Sequence, residues 1–311
     1  MNRHKVLIIR AGALGDTLML MPSIYNLRLK AGIILAGRHP GIDYIKPYVD
    51  LCIDYESSGW HRLFVKGAAK EQWTAIPGVS HVVAFLSDPE GAVAENLRAC
   101  MPSASVHIFP ALPQSGEKVH VALYMAGALE TSGLPIDSLK AFSDSRKYPL
   151  LAEKVMPERK GGIILQPGSG SENKNYPPAL WLELINIMKR TDKGRSEKII
   201  FLMGPSEEKL LPFFREGIDK SAYGLRFNPE REELLSLLGR ASLYIGHDSG
   251  TTHLAAMLGT PVMALFKDSS IQQWAPLGPK VKIVRSERDE TVFMRNFQDI
   301  FQKIFNFIDN S

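Results

Sequence analysis

Residues 5–17, KVLIIRAGALGDT, decide the fold of this chain. The first six are mostly apolar and rich in β-branched side chains, which predicts a strand buried on both faces of a parallel sheet. A small-residue turn follows and ends in an acid, Asp16, where a helical pattern over residues 17–30 begins. A strand, a tight turn and a helix in this order start a βαβ unit, so the stretch predicts an α/β fold.

The same alternation continues outward along the chain. It is interrupted at residues 134–160, which carry prolines and charges with little periodicity and are predicted to connect two domains. Asn228 and Pro229 are predicted to be the N-cap and first residue of a helix in the second half. The further predicted strands are 33–36, 51–54, 81–86, 105–109, 162–167, 198–203, 242–246, 261–266 and 281–284, and the further helices are 90–100, 117–132, 179–190, 206–217, 230–239 and 250–259.

Two Rossmann-like α/β/α domains are therefore expected, over residues 1–155 and 156–311. Open α/β sheets bind ligands beyond the C-terminal ends of their strands, and two such sheets facing each other form a cleft. The last segment, about 291–308, has apolar residues at helical spacing. This spacing favours a helix with a buried face over one that lies on a membrane surface.

The composition restricts the class of partner. The net charge is +4, which suits an anionic ligand but lacks the concentrated basic stripe of a nucleic-acid-binding protein. No run of about 18 apolar residues occurs, and the apolar run within residues 1–12 is too short for a secretory signal. We expect a cytoplasmic protein with at most peripheral contact with the inner face of the cytoplasmic membrane. Cys52 and Cys100 form no metal-binding spacing.

The loop GSGSENKNYPP, residues 168–178, has the chemistry of a phosphate site. Gly168 and Gly170 leave the backbone free to approach a ligand, Ser169 adds a hydroxyl group, and Lys174 adds a positive charge. The helix that follows offers free N–H groups at its start, which attract anions. A solvated turn with an exposed lysine explains the same residues equally well, so the loop alone leaves both interpretations open.

The segment IGHDSGTTHLAAMLG, residues 245–259, joins a strand to a short helix. Asp248 or Ser249 can cap that helix, and the same cap region can hold a diphosphate while Asp248 accepts hydrogen bonds from ligand hydroxyls. As a metal site the segment is weak, because His247, Asp248 and His253 lack the HExxH spacing. The chain also contains no D-x-D sequence, so no metal ion is expected.

The opening turn, AGALGD, has glycines at Gly12 and Gly15 only and is not the GxGxxG of nicotinamide-binding proteins. Asp16 suits the N-cap of the next helix, which explains it without any chemistry. A small turn that brings a carboxylate to the mouth of a cleft also suits a general base. From the residues alone, both roles stay open.

Taken together, the three loops resemble the motifs of a known family, the bacterial heptosyltransferases of glycosyltransferase family 9. The resemblance extends from the first strand to WAPLGP (274–279) and is loose over residues 55–135. Three positions depart from the usual motifs: Tyr176, His247 and the pair Thr251–Thr252. The motif stretches are RAGALGDTLMLMPSIYNLR (10–28), QPGSGSENKNYPPALWLEL (166–184) and GHDSGTTHLAAMLGTPVMALF (246–266).

The resemblance implies a GT-B fold, with the nucleotide sugar in the C-terminal domain, the acceptor in the N-terminal domain, and the helix at about 291–308 packed back on the N-terminal domain. It implies inverting, metal-independent transfer of heptose from ADP-heptose to a lipopolysaccharide core or related glycan, with no cofactor besides the nucleotide-sugar co-substrate. Asp16 stands at the catalytic base, Lys174 beside the diphosphate, and Gly12 and Gly15 in the loop on the acceptor side. The implied donor-binding residues are Ser169, Gly170, Lys174, Glu207 (with Glu208 as the neighbouring alternative), Asp248, Ser249, Gly250 and His253.

Other functions remain compatible with this sequence. A nucleotide-sugar epimerase, or a transferase of another sugar, would use the same fold. A binding protein that has lost catalysis would keep the donor site, although Asp16 and Lys174 count against it. A dehydrogenase is disfavoured because GxGxxG is absent.

Overall fold

The computed structural model describes residues 4–57, 59–68, 76, 78–151, 161–190, 196–218 and 223–285. The chain divides into two compact units, Met1–Ser145 and Arg146–Ser311, and each is described by itself. The predicted boundary at 155/156 and the predicted helix at about 291–308 lie outside the described residues.

The first unit is built on a five-stranded parallel sheet in the order β3-β2-β1-β4-β5. The central strand is the one predicted from the opening sequence, and its residues Val6 to Ile9 are at most 1% exposed. Burial on both faces explains why this strand reads as a continuous apolar run. The strands are β1 (Lys5–Arg10), β2 (Gly32–Gly37), β3 (Leu51–Asp54), β4 (Val79–Phe85) and β5 (Ser105–Phe109).

Helices cover the sheet of the first unit, and one of them corrects a prediction. The segment Ser138–Ser145 lies in the stretch predicted to be a connection, but it forms a helix that packs on two other helices of the unit. The long helix predicted at 17–30 is two helices. The helices of this unit are α1 (Leu14–Leu18), α2 (Met21–Leu27), α3 (Gly41–Ile45), α4 (Ala92–Cys100), α5 (Val121–Thr131) and α6 (Ser138–Ser145), with 3-10 turns at Lys46–Tyr48 and Trp60–Phe64.

The second unit is built on a six-stranded parallel sheet in the order β11-β10-β9-β6-β7-β8. Its strands β6, β7, β9 and β10 are buried throughout, and they pack with the helices around Trp181 and Phe214 in one apolar core. The strands are β6 (Ile163–Gln166), β7 (Ile199–Met203), β8 (Tyr223–Phe227), β9 (Leu243–His247), β10 (Val262–Phe266) and β11 (Val281–Arg285).

The helices of the second unit are close to those predicted, with local differences. Asn228 is not an N-cap: it has a left-handed φ of 44°, and Glu230 occupies the N-cap position of the helix that starts at Arg231, without a hydrogen bond from its side chain. Strand β8 was not predicted. The helices are α7 (Pro178–Met188), α8 (Leu211–Gly217), α9 (Arg231–Arg240), α10 (Gly250–Met257) and α11 (Ile271–Trp274), with 3-10 turns at Glu172–Lys174 and Pro205–Leu210.

Among the described residues, no helix combines the length and the apolar character needed to cross a lipid bilayer.

Candidate functional site

Strand order places the three predicted loops at the switch point of each sheet. In the first unit the order reverses between β1 and β4, and the turn and helix start that carry Asp16 follow β1. In the second unit it reverses between β6 and β9, and the loops 168–177 and 248–249 follow these two strands. Ligands of open α/β sheets bind beyond the carboxyl ends of strands at such points. The topology therefore marks both regions as candidate sites.

The carboxylate of Asp16 is held at both oxygens. Its Oδ1 accepts a hydrogen bond from Arg10 Nη2 at 2.9 Å, and its Oδ2 accepts one from the Ala13 N–H at 3.1 Å. Helix α1 begins at Leu14, so Asp16 lies inside the first turn and is not the N-cap, which corrects that expectation. Its side chain is 29% exposed, so the group is fixed in position yet open to solvent.

The turn around Asp16 requires its first glycine, since a Cβ at Gly12 would lie 2.4 Å from the Asp16 Cβ. Gly15 is the second residue of α1. Arg10 ends the buried strand and is only 4% exposed. Burial lowers the pKa of its guanidinium group, while the neighbouring Asp16 and Tyr124 act in the opposite direction. Arg10 is therefore a buried charge, and Asp16 is its ion-pair partner.

Lys174 and Asp248 meet in the second unit, although they are 74 residues apart in the sequence. Lys174 Nζ lies 2.7 Å from Asp248 Oδ2, and His253 Nε2 lies 3.5 Å from the other carboxylate oxygen. Burial alone would raise the pKa of Asp248, but the hydrogen bonds from His253 and Lys174 outweigh it and lower the pKa. Asp248 is therefore a buried anion, and the half-exposed Lys174 is its cation.

The loop after β6 is organised mainly by its own polar groups. The hydroxyl of Ser169 lies 2.7 Å from Asn175 Oδ1 and 3.1 Å from the Ser171 carbonyl oxygen, so its one proton is donated within the loop. Gly168 packs against the side chain of Glu207, where a Cβ would lie 2.3 Å from the Glu207 Cγ. Gly170 is exposed and has open space around its Cα.

The start of α10 is capped by Ser249, whose Oγ accepts from the Thr252 N–H at 3.3 Å. Gly250 is the first residue of that helix. Thr252, a departure from the family motif, donates its hydroxyl to the His247 carbonyl at 2.5 Å. The cap therefore binds helix start and strand end together.

Glu207 is 1% exposed, whereas Glu208 beside it is exposed. Its Oε2 accepts from the Gly204 N–H at 2.6 Å, and its Oε1 lies 3.5 Å from Gln166 Nε2. Burial raises the pKa of Glu207, and these hydrogen bonds oppose the rise. Glu207 thus packs beside Gly168 and Gln166 at the end of β6, whereas Glu208 does not share its burial.

Several residues in these networks were not predicted from the sequence. Gln166 Oε1 accepts from the hydroxyls of Tyr244 and Ser249, and His247 Nε2 accepts from the Tyr176 N–H at 3.0 Å. Arg10, Gln166 and His247 share one signal that was available: each is the polar last residue of an otherwise apolar buried strand. Across the described ranges, no three His, Cys, Asp or Glu side chains are grouped so that they could hold a metal ion.

Comparison with known proteins identifies the family. The sequence profile of glycosyltransferase family 9 (heptosyltransferase) matches residues 97–304, about two thirds of the chain. This match includes both loops of the second unit and begins after Asp16. Lipopolysaccharide heptosyltransferase 1 of Campylobacter coli is 34% identical over 129 residues, which are 40% of this chain and 36% of that protein. The matched part therefore spans about a third of that relative's length.

Solved structures agree in fold along the whole chain. A family 9 glycosyltransferase from Veillonella parvula has a TM-score of 0.67 and 15% identity, covering 99% of this chain and 98% of that one. The E. coli heptosyltransferase WaaC, solved with ADP, has a TM-score of 0.69 and 13% identity, covering 96% and 99%. Since the family profile covers more than half of the sequence and the two parallel sheets match these structures, the chain belongs to glycosyltransferase family 9, the heptosyltransferase family, and adopts its GT-B fold.

Proposed function

We propose that this protein is an inverting, metal-independent glycosyltransferase that transfers heptose from ADP-heptose to a lipopolysaccharide core or a related glycan. Family membership supports the reaction class. The substrates are suggested by two relatives: one is named a lipopolysaccharide heptosyltransferase, and WaaC has been solved with ADP and with ADP-2-deoxy-2-fluoro heptose. The proposed reaction takes place in the cytoplasm, with at most peripheral membrane contact.

The observation that carries the proposal is the Lys174–Asp248 ion pair at the switch point of the second sheet. Lys174 sits in a Gly- and Ser-rich loop, and Asp248 immediately precedes the cap of α10. A mobile cation beside a helix start is a suitable environment for a diphosphate. As the sugar–phosphate bond breaks, negative charge gathers on the leaving diphosphate, and a well-placed donor there contributes about 3–4 kcal/mol to the transition state.

Asp16 is proposed to be the general base. An ionised carboxylate accepts the proton of an acceptor hydroxyl while that oxygen attacks the anomeric carbon and the nucleoside diphosphate leaves. The two fixed oxygens and the partial exposure of Asp16 suit this role, because the carboxylate is oriented and a substrate can reach it.

A donor panel tests the proposal. Thermal unfolding is measured with ADP, UDP, GDP and their sugars, and transfer is then assayed with the sugar whose nucleotide stabilises the protein. A ligand at a hundred times its Kd adds about 2.7 kcal/mol to the free energy of unfolding, which is a visible shift. We expect stabilisation by ADP and transfer of heptose with inverted anomeric configuration. Stabilisation by another nucleotide would assign another sugar, an epimerised free donor would identify an epimerase, and binding without turnover on any glycan would identify a binding protein.

A further inference from the structure

His247 is a buried polar residue to which the proposed mechanism gives no role. It ends strand β9 directly before Asp248 and is 0% exposed. Its ring packs against the rings of Tyr176 and Trp181, with centroids 5.3 and 5.2 Å away. Burying an imidazole is costly unless its nitrogens find partners, and among the described residues Nδ1 of this ring has no hydrogen-bond partner while Nε2 has one.

That partner is the backbone of the loop that carries Lys174. His247 Nε2 accepts a hydrogen bond from the Tyr176 N–H at 3.0 Å, and this amide lies two residues after Lys174. Burial lowers the pKa of His247 to about 3, so the ring is neutral at pH 7 and Nε2 keeps the lone pair that accepts this bond. Two adjacent residues of one strand end, His247 and Asp248, thus hold the same loop through different contacts.

The two contacts differ in what a diphosphate would do to them. The Lys174–Asp248 pair involves the charge that a bound diphosphate would attract, so this contact competes with the ligand. The bond between His247 and the Tyr176 amide is made by a neutral ring and a backbone group, and a ligand anion does not compete for it. Only the second contact can persist while Lys174 changes its partner.

We propose that His247 is a positioning residue that anchors the loop at 171–176, so that Lys174 can exchange Asp248 for the donor diphosphate without loss of loop position. This inference rests on the proposed function, since it assigns the loop a nucleoside diphosphate. Both His247 and Tyr176 depart from the usual family motifs, and the centroids of their rings are 5.3 Å apart. The departures at His247 and Tyr176 are therefore in contact with each other.

Three variants test the anchor. His247→Leu removes the acceptor and keeps an apolar side chain in the core, whereas His247→Gln keeps an acceptor oxygen at about the position of Nε2. Phe214→Leu is the control. Phe214 lies in the same apolar core as Tyr176 and Trp181, but its ring packs against Phe201 and Phe213. This variant corrects for a general loss of stability.

Hydrogen exchange measures the protection of the loop amides in the absence of any ligand. We expect the Tyr176 amide to exchange at least about tenfold faster in His247→Leu, and at nearly the wild-type rate in His247→Gln and Phe214→Leu. Calorimetry then measures the affinity of each variant for ADP. We expect His247→Leu to weaken it about tenfold, a typical coupling for residues in one network, and the loss to shrink to within about twofold when Lys174→Ala is already present.

The outcomes separate this inference from the proposed function. Wild-type protein that fails to bind ADP or any other nucleoside diphosphate would overturn both. Nucleotide binding that His247→Leu leaves unchanged would overturn the anchor alone. An equal loss of affinity in the presence and absence of Lys174 would also overturn it, since His247 would then act by another route.

Discussion

The two switch-point regions of this molecule are built in opposite ways. In the first unit, one carboxylate, Asp16, is held by a single side chain, Arg10, and remains 29% exposed. In the second unit the corresponding region is a buried polar network, in which Asp248, Glu207 and His247 are at most 5% exposed. Most of the polar groups in this network hydrogen-bond to one another or to the backbone, which favours a single arrangement of the second region. If the second unit binds the donor and Asp16 is the base, as proposed, we expect donor binding to need little rearrangement and the base to be oriented and open to solvent.

The largest effect is expected at Asp16, in the switch-point region of the first unit. Asp16→Asn keeps the size of the side chain and one acceptor oxygen but removes the basic carboxylate. General-base catalysis contributes about 10²–10⁴-fold, so kcat should fall by that factor while ADP binding stays near the wild-type value. Steady-state transfer and calorimetry with ADP measure the two quantities.

A matched control is available in the same unit. Asp43 also lies in the first turn of a helix, α3, and pairs with His39 at 2.7 Å, but it is not at the switch point. Asp43→Asn should leave transfer unchanged. If Asp16→Asn kept a turnover within a few-fold of the wild type, Asp16 would not be the general base. The two switch-point regions would then not differ in function as inferred above.

The next effect is at Lys174, in the dense network. Lys174→Met should lower kcat/KM for the nucleotide sugar about 10²-fold, because the leaving diphosphate loses its cation. Stability should also fall, since the buried Asp248 loses the cation that lies 2.7 Å from its carboxylate. Kinetics and thermal unfolding are measured on the same samples.

Lys209→Met is the control for Lys174→Met. Lys209 is almost fully exposed and pairs only weakly, at 3.9 Å, with Glu172, which lies in the loop that carries Lys174. An exposed pair of this kind contributes little, so this variant should behave like the wild type. Equal losses in both variants would mean that general positive charge, and not the pair with Asp248, supports donor binding.

The dense network also predicts a dependence of stability on pH. His247 has a pKa of about 3 in the folded protein, chiefly because of burial, with Lys267 acting in the same direction and Asp248 in the opposite one. An unfolded histidine has a pKa of about 6.5, so below that value the unfolded state takes up a proton that the folded state refuses. The free energy of unfolding should therefore fall by about 2 kcal/mol between pH 7 and pH 5 on account of this residue.

His247→Gln separates this contribution from the other titrating groups. Urea unfolding of both proteins is measured at pH 7 and pH 5 by tryptophan fluorescence, to which Trp181 beside the His247 ring contributes. The measurement gives the change in the free energy of unfolding of each protein between the two pH values. The wild type should lose about 2 kcal/mol more than the variant over this range. If both lost the same amount, the imidazole would not be held neutral in the folded protein.

Sequence and structure agree where local pattern alone decides. The strand at 5–10 and its turn were predicted because a fully buried strand is apolar along its length and the turn needs small residues. The contact between Lys174 and Asp248 could not be predicted, since it joins loops 74 residues apart that only the strand order brings together. Helix α6 was missed because its sequence, SLKAFSDS, is polar and short, and its stability comes from packing on α2 and α5.

The predicted site residues divide in the same way. A cap at Asp248 or Ser249 was predicted, and Ser249 is the cap, because capping depends on residues within one turn of the helix. Asp16 was predicted as an N-cap and is instead the third helical residue, since the helix begins at Leu14 within the turn. The catalytic role of Asp16 and the donor contacts of the second unit stay predictions, and the variants above decide them.

The smallest expected effect compares two caps within the second unit. Ser249 accepts the Thr252 N–H at the start of α10, whereas Ser270 precedes α11 with no hydrogen bond from its side chain to that helix. Ser249→Ala should lower the free energy of unfolding by about 1 kcal/mol, and Ser270→Ala by much less. In a unit of this size that corresponds to a shift of about 2–4 °C in Tm, which calorimetry resolves. A larger loss in Ser249→Ala, with weaker ADP binding, would show that the cap supports the buried network through Thr252 and Gln166 as well as the helix.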